Sequence, residues 1–357
     1  MATPHQVQLG NLLYTVVDDC TTTYWAIITG AVTDEILGDL YAPEFTVDTG
    51  RPDLLSKTMP NGLFAVTGYP EQSFPTPGTV NLVLRAPGFR DFKISVAIPV
   101  NAIFPLPAGT MQLRRLPVRI QGRVVNDVTR APIPGVQVLS VDNPLTPPTV
   151  HTTALRTPLY FDHVSGTPAQ LTTITPTGTA TLNADVAARS QILVLSTRMG
   201  LGPGSIVKLS NASQTVAEYG VVDHLGPGAP ASAGDVFLRN SLNHSYSQAP
   251  AATTVQFVTA TLVGPAASLA TDANAADGVI VATQLLNGTT LAVDSGALAV
   301  EYHEVGALTD SDGYYGLAGM GRVREIFLFA KQGALKQTAD WFIEYGQSVN
   351  IVDLRLS

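Results

Sequence analysis

The chain has 357 residues and a formal net charge of −8, with 20 Lys+Arg against 28 Asp+Glu. An acidic protein repels polyanions on average, so nucleic-acid binding is not expected. No run of about 18 apolar residues could span a membrane as a helix. The first residues also lack the basic and apolar segments of a secretory signal. We therefore expect no membrane insertion and a cytoplasmic location, with export only as part of an assembled particle.

The composition favours strands over helices. Charged residues make up 13% of the chain, about half of the roughly 25% usual in soluble domains. No stretch carries the Glu/Lys/Arg pattern of an exposed helix. Thr and Val suit the pleated surface of a strand, and the 31 Gly and 25 Pro supply turns. The length exceeds the roughly 100–200 residues of one domain, so we predict an all-β chain of several domains.

The first predicted domain is a β-sandwich over residues 24–116, which follows an N-terminal arm formed by residues 1–23. An apolar strand leads through Gly30 to a polar turn at Asp34. A second turn is predicted at Asn61-Gly62, because both residues tolerate positive φ. We expect a strand just before residue 116 to close the domain.

A second β-sandwich repeats this pattern but is divided in sequence, with one part at 117–142 and the other at 306–357. Its three motif segments are Gly-x-Val-x-Asn at 122–126, Pro-x-x-Gly-Val-x-Val at 132–138 and Asp-x-Asp-Gly-x-Tyr at 310–315. Together they resemble the carboxypeptidase regulatory-like domain, a small transthyretin-like β-sandwich. The first copy resembles it less closely, having Asn61 where the family prefers Asp. The resemblance implies a transthyretin-like or Ig-like fold and an accessory role, since the enzyme's catalytic domain and zinc ligands are absent from the sequence.

Residues 143–305 are predicted to form a β-rich domain inserted into the second sandwich. They contain a duplication, at about 180–222 and 267–305. Each copy has an apolar run, a Gly turn with a strand, and a further strand that ends in Glu-Tyr. For residues 143–178, rich in Thr and Pro, both an ordered arm and a flexible linker fit the sequence. The duplicated segments resemble small β-modules of phage-tail and phage-like baseplate proteins, which implies a particle component.

The strongest metal-like motif is only a weak candidate. Asp310 and Asp312 match the start of an EF-hand calcium loop, but that loop needs a Glu at its twelfth position, where this chain has Gly321. Tyr314 and a strand follow at once. We therefore expect a hairpin turn and no metal.

Glu301 and His303 alternate with Tyr302 along a predicted strand, which places their side chains on one face. Zinc would need a third ligand near them, and the sequence offers none. We therefore expect this face to be exposed to solvent. No nucleophile motif or phosphate loop occurs in the sequence either. The expectation is a protein with no catalytic residue, no cofactor and no enzyme activity.

These observations favour a non-catalytic structural subunit of a large phage-tail-like or contractile-injection particle. Low surface charge fits surfaces that partners cover, so we expect a homo-oligomer that also contacts other structural subunits of the particle. Tyr246, Trp341 and Tyr345 are the candidate interface residues. The alternative is a carbohydrate-binding or adhesive surface module, in which exposed aromatic side chains contact a glycan.

Overall fold

The computed structural model confirms the predicted all-β class. It describes residues 5–9, 12–16, 25–38, 44–68, 77–145, 148–211, 216–248, 253–294, 296 and 300–357. Within these ranges there is no helix, and hence none that could cross a membrane. The chain divides into two compact units, Met1–Arg115 and Leu116–Ser357.

The first unit contains two facing sheets and a separate hairpin. Its strands are β1 (His5–Leu9), β2 (Leu12–Val16), β3 (Trp25–Asp34), β4 (Thr46–Asp48), β5 (Leu55–Thr58), β6 (Leu63–Gly68), β7 (Gly78–Arg85), β8 (Phe92–Ile98) and β9 (Leu106–Leu113). β1 pairs with β2 in the segment predicted as an arm. One sheet has the order β5-β6-β3-β9 and the other β4-β7-β8. Apolar residues of both sheets form one buried cluster, as expected of a β-sandwich.

The second unit begins with β10 and continues to the last residues. Its strands are β10 (Val118–Asn126), β11 (Gln137–Val141), β12 (His151–Ala154), β13 (Pro168–Thr181), β14 (Ile192–Leu195), β15 (Ile206–Ser210), β16 (Ala217–Leu225), β17 (Gly234–Leu238), β18 (Thr254–Leu262), β19 (Ala267–Ser268), β20 (Val279–Ala282), β21 (Thr290–Asp294), β22 (Val300–Glu304), β23 (Ala307–Leu308), β24 (Tyr314–Met320), β25 (Glu325–Gln332), β26 (Leu335–Phe342), β27 (Val349–Ile351) and β28 (Leu354–Leu356).

Strands from both ends of this unit form a second sandwich with the strand arrangement of the first. One sheet has the order β24-β10-β27, with β28 also paired to β10, and the other has the order β23-β11-β25-β26. β10 lies antiparallel to β24 and parallel to β27 and β28. β3 in the first unit likewise lies antiparallel to β6 and parallel to β9. In both sandwiches the central strand of one sheet therefore lies between an antiparallel neighbour and a parallel one.

A glycine in each central strand makes room for an aromatic ring from the neighbouring strand. Gly30 is paired with Phe64, and a Cβ on Gly30 would lie 2.6 Å from the Phe64 ring. Gly122 is paired with Tyr315 in the same way. The Tyr315 hydroxyl donates a 2.6 Å hydrogen bond to the carbonyl of Val352. In each sandwich the glycine and the aromatic ring therefore pack directly against each other.

The turn after each central strand is also built alike. The carboxylate of Asp34 accepts hydrogen bonds from the backbone N–H groups two and three residues further on, at 2.8 and 3.2 Å. The side-chain oxygen of Asn126 does the same at 3.0 and 2.9 Å. Short polar side chains satisfy turn N–H groups that no strand can reach.

The inserted domain, from β12 to β22, has two halves with the same strand order. In the first half, neighbouring strands follow the order β14-β17-β16-β15-β18. In the second they follow β20-β12-β22-β21-β13, where a bridge between Leu155 and Val305 joins β12 to β22. The halves meet where β13 pairs with β18. β12 and β13 therefore complete the second half although they precede the first half in sequence.

The inserted domain shares a core with the second sandwich. Ala154 of β12 and Val279 of β20 lie in the same buried apolar cluster as Val118 and Leu317 of the sandwich. The N–H of Gly278 donates to the carbonyl of Gly319 at 2.7 Å. Continuous packing of this kind joins the two parts into one compact unit.

We predict that Gly122→Ala destabilises the second unit by about 3 kcal/mol, the cost of overpacking a core. The added Cβ would lie 1.9 Å from the carbonyl oxygen of Val352, which belongs to backbone and cannot rotate away. The matched control is Gly316→Ala on the neighbouring strand, because a Cβ there has no atom within 4 Å. Urea unfolding followed by intrinsic fluorescence measures the stability of both variants. Equal unfolding midpoints for the two variants would contradict the packing argument.

Candidate functional site

A polar part of the interior surrounds two buried glutamates of the inserted domain. Glu218 lies near the start of β16 and Glu301 near the start of β22, at equivalent places in the two halves. Their exposed fractions are 0% and 2%. A carboxylate removed from water must be compensated by hydrogen bonds or opposite charge, so the partners of each one define the site.

Glu218 is compensated mainly by a loop of its own half. Its Oε2 atom accepts a hydrogen bond from the backbone N–H of Asn243 at 2.8 Å, and its Oε1 atom accepts one from the N–H of His244 at 3.0 Å. The hydroxyl of Tyr160 donates to Oε2 at 3.2 Å. Tyr160 comes from the loop between β12 and β13, so Glu218 connects loops of both halves.

Glu301 is compensated by one backbone group and two imidazoles. Its Oε2 atom accepts from the backbone N–H of Tyr160 at 2.6 Å and from Nε2 of His303 at 2.9 Å. Nε2 of His163 donates to Oε1. The other ring nitrogen of His303 lies 3.1 Å from the hydroxyl oxygen of Thr157. Both carboxylate oxygens of Glu301 are therefore occupied.

The two loops that the glutamates hold are equivalent in structure and in sequence. Both contain Leu-Arg-x-x-Leu, at 155–159 and at 238–242. The N–H of Leu159 donates to the carbonyl of Asp277 at 2.8 Å, and the N–H of Leu242 donates to the carbonyl of Ser190 at 2.9 Å. The equivalence of the two loops was not predicted from the sequence, although the shared Leu-Arg-x-x-Leu pattern could have shown it.

Burial and charge act in opposite directions on Glu301. Burial by itself would raise the pKa of Glu301, but the charge of His303 and the hydrogen bonds from both imidazoles outweigh it and hold the pKa at about 2. Burial, together with the charges of Glu218 and Glu301, raises the pKa of Tyr160 well above its ordinary value. Tyr160 also stacks on His303, with ring centroids 5.0 Å apart.

The predicted solvent exposure of Glu301 and His303 is therefore wrong. Both side chains lie in the interior, because the loop between β12 and β13 needs an acceptor for its N–H groups and covers this face of β22. Among the described residues, no group of three or more His, Cys, Asp or Glu side chains is placed to hold a metal ion. The arrangement is a buried hydrogen-bond network in which backbone N–H groups, imidazoles and the Tyr160 hydroxyl compensate the two carboxylates.

The weak metal candidates Asp310 and Asp312 lie in the hairpin turn before β24. Oδ1 of Asp310 accepts hydrogen bonds from the N–H groups of Asp312 and Tyr314, both at 2.9 Å. Gly313 has a φ of 77°, in the left-handed region that favours glycine. These contacts account for the motif as a turn.

The three candidate interface residues are placed differently from one another. Tyr246 is 3% exposed and lies in the core of the first half of the inserted domain. It is therefore not a surface residue. It occupies the loop position that His163 holds in the other half, and that position faces the interior. Trp341 and Tyr345 are half-buried against the second sandwich. Their polar atoms donate to the Asn350 side chain at 3.0 Å and to the Val323 carbonyl at 2.6 Å.

Comparison with known proteins assigns no family. No family model matches the chain, and no curated protein matches it. Two solved structures are similar over 94% of this chain and 99% of theirs: BcpA, the major pilin subunit of Bacillus cereus, and a variant of the same pilin. Each has 10% sequence identity and a TM-score of 0.21. Similarity at this level does not establish a common fold, so no property of the pilin is transferred to this chain.

We predict that Glu301 makes stability depend on acidic pH. Its folded-state pKa of about 2 lies below the ordinary 4.5, so the carboxylate stabilises the fold above pH 4.5. That contribution, on the order of 3 kcal/mol, is lost as the pH falls from 4.5 towards 2. Glu301→Gln should be less stable than the wild type at neutral pH and should lose less stability over this window, as measured by urea unfolding at several pH values.

The control for this experiment is Asp340→Asn, which removes an exposed carboxylate from β26. We expect this variant to follow the pH profile of the wild type. If Glu301→Gln also follows that profile, the buried carboxylate does not contribute as described.

Proposed function

We propose that this chain is a non-catalytic structural subunit that assembles through the edges of its sheets. The observation that carries the proposal is β8, the last strand of the sheet β4-β7-β8. On the side away from β7 it has no strand partner among the described residues. An unpaired edge is a template for pairing with another chain.

The character of β8 supports this role. Its first six residues alternate between half-buried and exposed side chains, Ile98 at its end is buried, and Lys93 is its one charged residue. Natural edge strands that must stay unpaired are usually short, irregular or charged. A regular strand of this length with a single charge is therefore suited to intermolecular pairing.

The particle we propose is phage-tail-like or of the contractile-injection type. This finer assignment is supported by the duplicated β-modules of the inserted domain and by the low charged content of 13%. In such a particle the subunit would form a homo-oligomer and contact other structural subunits. It would be made in the cytoplasm and leave the cell only with the particle.

The state of assembly tests the proposal directly. We expect light scattering on the purified chain to show a discrete assembly larger than the 37.6 kDa monomer. Ala97→Lys, on the exposed face of β8, should weaken that assembly at least tenfold, because charge on an edge strand opposes pairing. Thr29→Lys is the control: it adds the same charge to β3, which already pairs with β6 on one side and with β9 on the other. A monomer at high concentration, or equal effects of the two variants, would overturn the proposal.

A second candidate function, an adhesive module that binds a glycan, is supported by one groove. Tyr314 is 55% exposed and lines a cavity of about 470 Å³ between the second sandwich and the inserted domain. Arg119, Gln121 and Asn243 also line it. An aromatic face beside amide and guanidinium groups suits a sugar ring.

Tyr314→Ala tests this candidate. If the groove binds glycans, a glycan array should show ligands for the wild type whose signal falls about fivefold or more in the variant, since a ring contact of this kind is worth about 1 kcal/mol or more. Phe342→Ala is the control, because Phe342 is similarly exposed but lies on β26. Loss of signal in both variants, or in neither, would exclude the groove as the glycan site.

A further inference from the structure

A second charged cluster lies on the side of β22 opposite to Glu301. The Oε1 atom of Glu304 is 2.5 Å from the ammonium group of Lys208, and its Oε2 atom is paired with the guanidinium group of Arg156. The hydroxyl of Tyr219 donates to Oε1 at 3.4 Å. One carboxylate is therefore shared by two cations.

This cluster borders a cavity of about 550 Å³ within the second unit. Arg156, Lys208 and Glu304 are its charged lining residues, and every other lining residue is uncharged at neutral pH. The lining therefore carries an excess of one positive charge. Because the whole chain has a net charge of −8, this excess is a local feature and not a consequence of the overall field.

The positive groups are held in place before any ligand arrives. The side chains of Arg156 and Lys208 are 9% and 22% exposed, and Lys208 lies over the Tyr219 ring, 5.6 Å from its centroid. Cations fixed by their neighbours lose little conformational freedom when they bind a ligand. Partial burial also strengthens their attraction for an anion relative to bulk water.

The remaining lining suits a ligand with hydroxyl groups. The Gln137 amide donates to two backbone carbonyls at 3.4 Å, which leaves its oxygen as an acceptor. Gln256 and Thr289 add a further amide and a hydroxyl. The volume is in the range of small-molecule sites, roughly 300–1,000 Å³, and is much larger than a lone carboxylate needs.

We propose that this cavity binds a small carboxylate that carries hydroxyl groups, of the class of sugar acids. The carboxylate would be held by Lys208 and Arg156, and the hydroxyl groups by the neutral amide and hydroxyl side chains. This site includes no residue of β8. It shares Arg156 and Leu308 with the groove at Tyr314, but Lys208 and Gln256 line only this cavity, so the inference goes beyond the proposed assembly role. Its test does not depend on the oligomeric state.

The test is calorimetry on the full chain with D-glucuronate as the probe. We expect saturable binding that weakens with added salt, since the attraction is partly ionic. D-Glucose, which lacks the carboxylate, should bind at least tenfold more weakly. A disaccharide that ends in glucuronate is a further probe. If the disaccharide binds more tightly than glucuronate, the site is assigned to glycan ends. If it binds more weakly, the site is assigned to the free acid.

Substitution of Lys208 separates charge from structure. Lys208→Gln should weaken glucuronate binding at least tenfold, because a hydrogen bond to a charged group is lost and the lining becomes neutral. Lys208→Arg should retain binding within about threefold, since the charge and donors remain. Lys57→Gln is the control for net charge, as Lys57 lies in β5 of the first unit. Thermal unfolding of each variant verifies that it is folded.

Three results would overturn the inference. One is absence of glucuronate binding by the wild type at about 10 mM. A dissociation constant of that size corresponds to a binding free energy of roughly 3 kcal/mol. The second is binding by folded Lys208→Gln that equals that of the wild type. The third is equal affinity for glucose and glucuronate, which would exclude a carboxylate site.

Discussion

The inserted domain depends on a single physical requirement: a carboxylate taken out of water has to find donors elsewhere. Glu218 and Glu301 find them in the backbone of two equivalent loops, so each strand fixes the path of the loop that covers it. Because Tyr160 donates its backbone N–H to one glutamate and its hydroxyl to the other, the two halves are held in one relative position. The β13–β18 pairing then joins them as one sheet.

The same requirement limits what the site can do. A buried carboxylate that serves catalysis needs an open position where a substrate can reach it. Here the oxygens of Glu301 are occupied by a backbone group and two imidazoles, and neither glutamate lines the cavities described above. Glu218 and Glu301 therefore serve to hold the fold together.

Local patterns in the sequence predicted the features that depend on near neighbours. The turns at Asn61-Gly62 and Asp310 to Gly313 were predictable because each depends on a few residues with special backbone freedom. The alternation of Glu301 and His303 correctly placed both side chains on one face of a strand. It could not show that a loop more than a hundred residues earlier in the chain covers that face.

Tyr246 shows the same limit from the other direction. Its sequence context is polar, which suggests a surface, yet the loop that contains it turns inward and places the ring in the core. The order of the inserted strands was also hidden, since β12 and β13 are separated from their partners β20 to β22 by the whole first half. Periodicity describes one strand at a time and carries no information on which strands become neighbours.

That order of strands has a consequence for how the protein is made. As the chain leaves the ribosome, the first half of the inserted domain is complete once β18 has been synthesised, while β12 and β13 still lack several of their neighbours. The central strand β10 waits still longer, because its partners β24, β27 and β28 follow the whole inserted domain in sequence. Contacts so distant in sequence slow folding and leave unpaired strands exposed in the nascent chain. The second sandwich is therefore completed only when β24, β27 and β28 have been synthesised and can pair with β10, with the whole inserted domain lying between them in sequence.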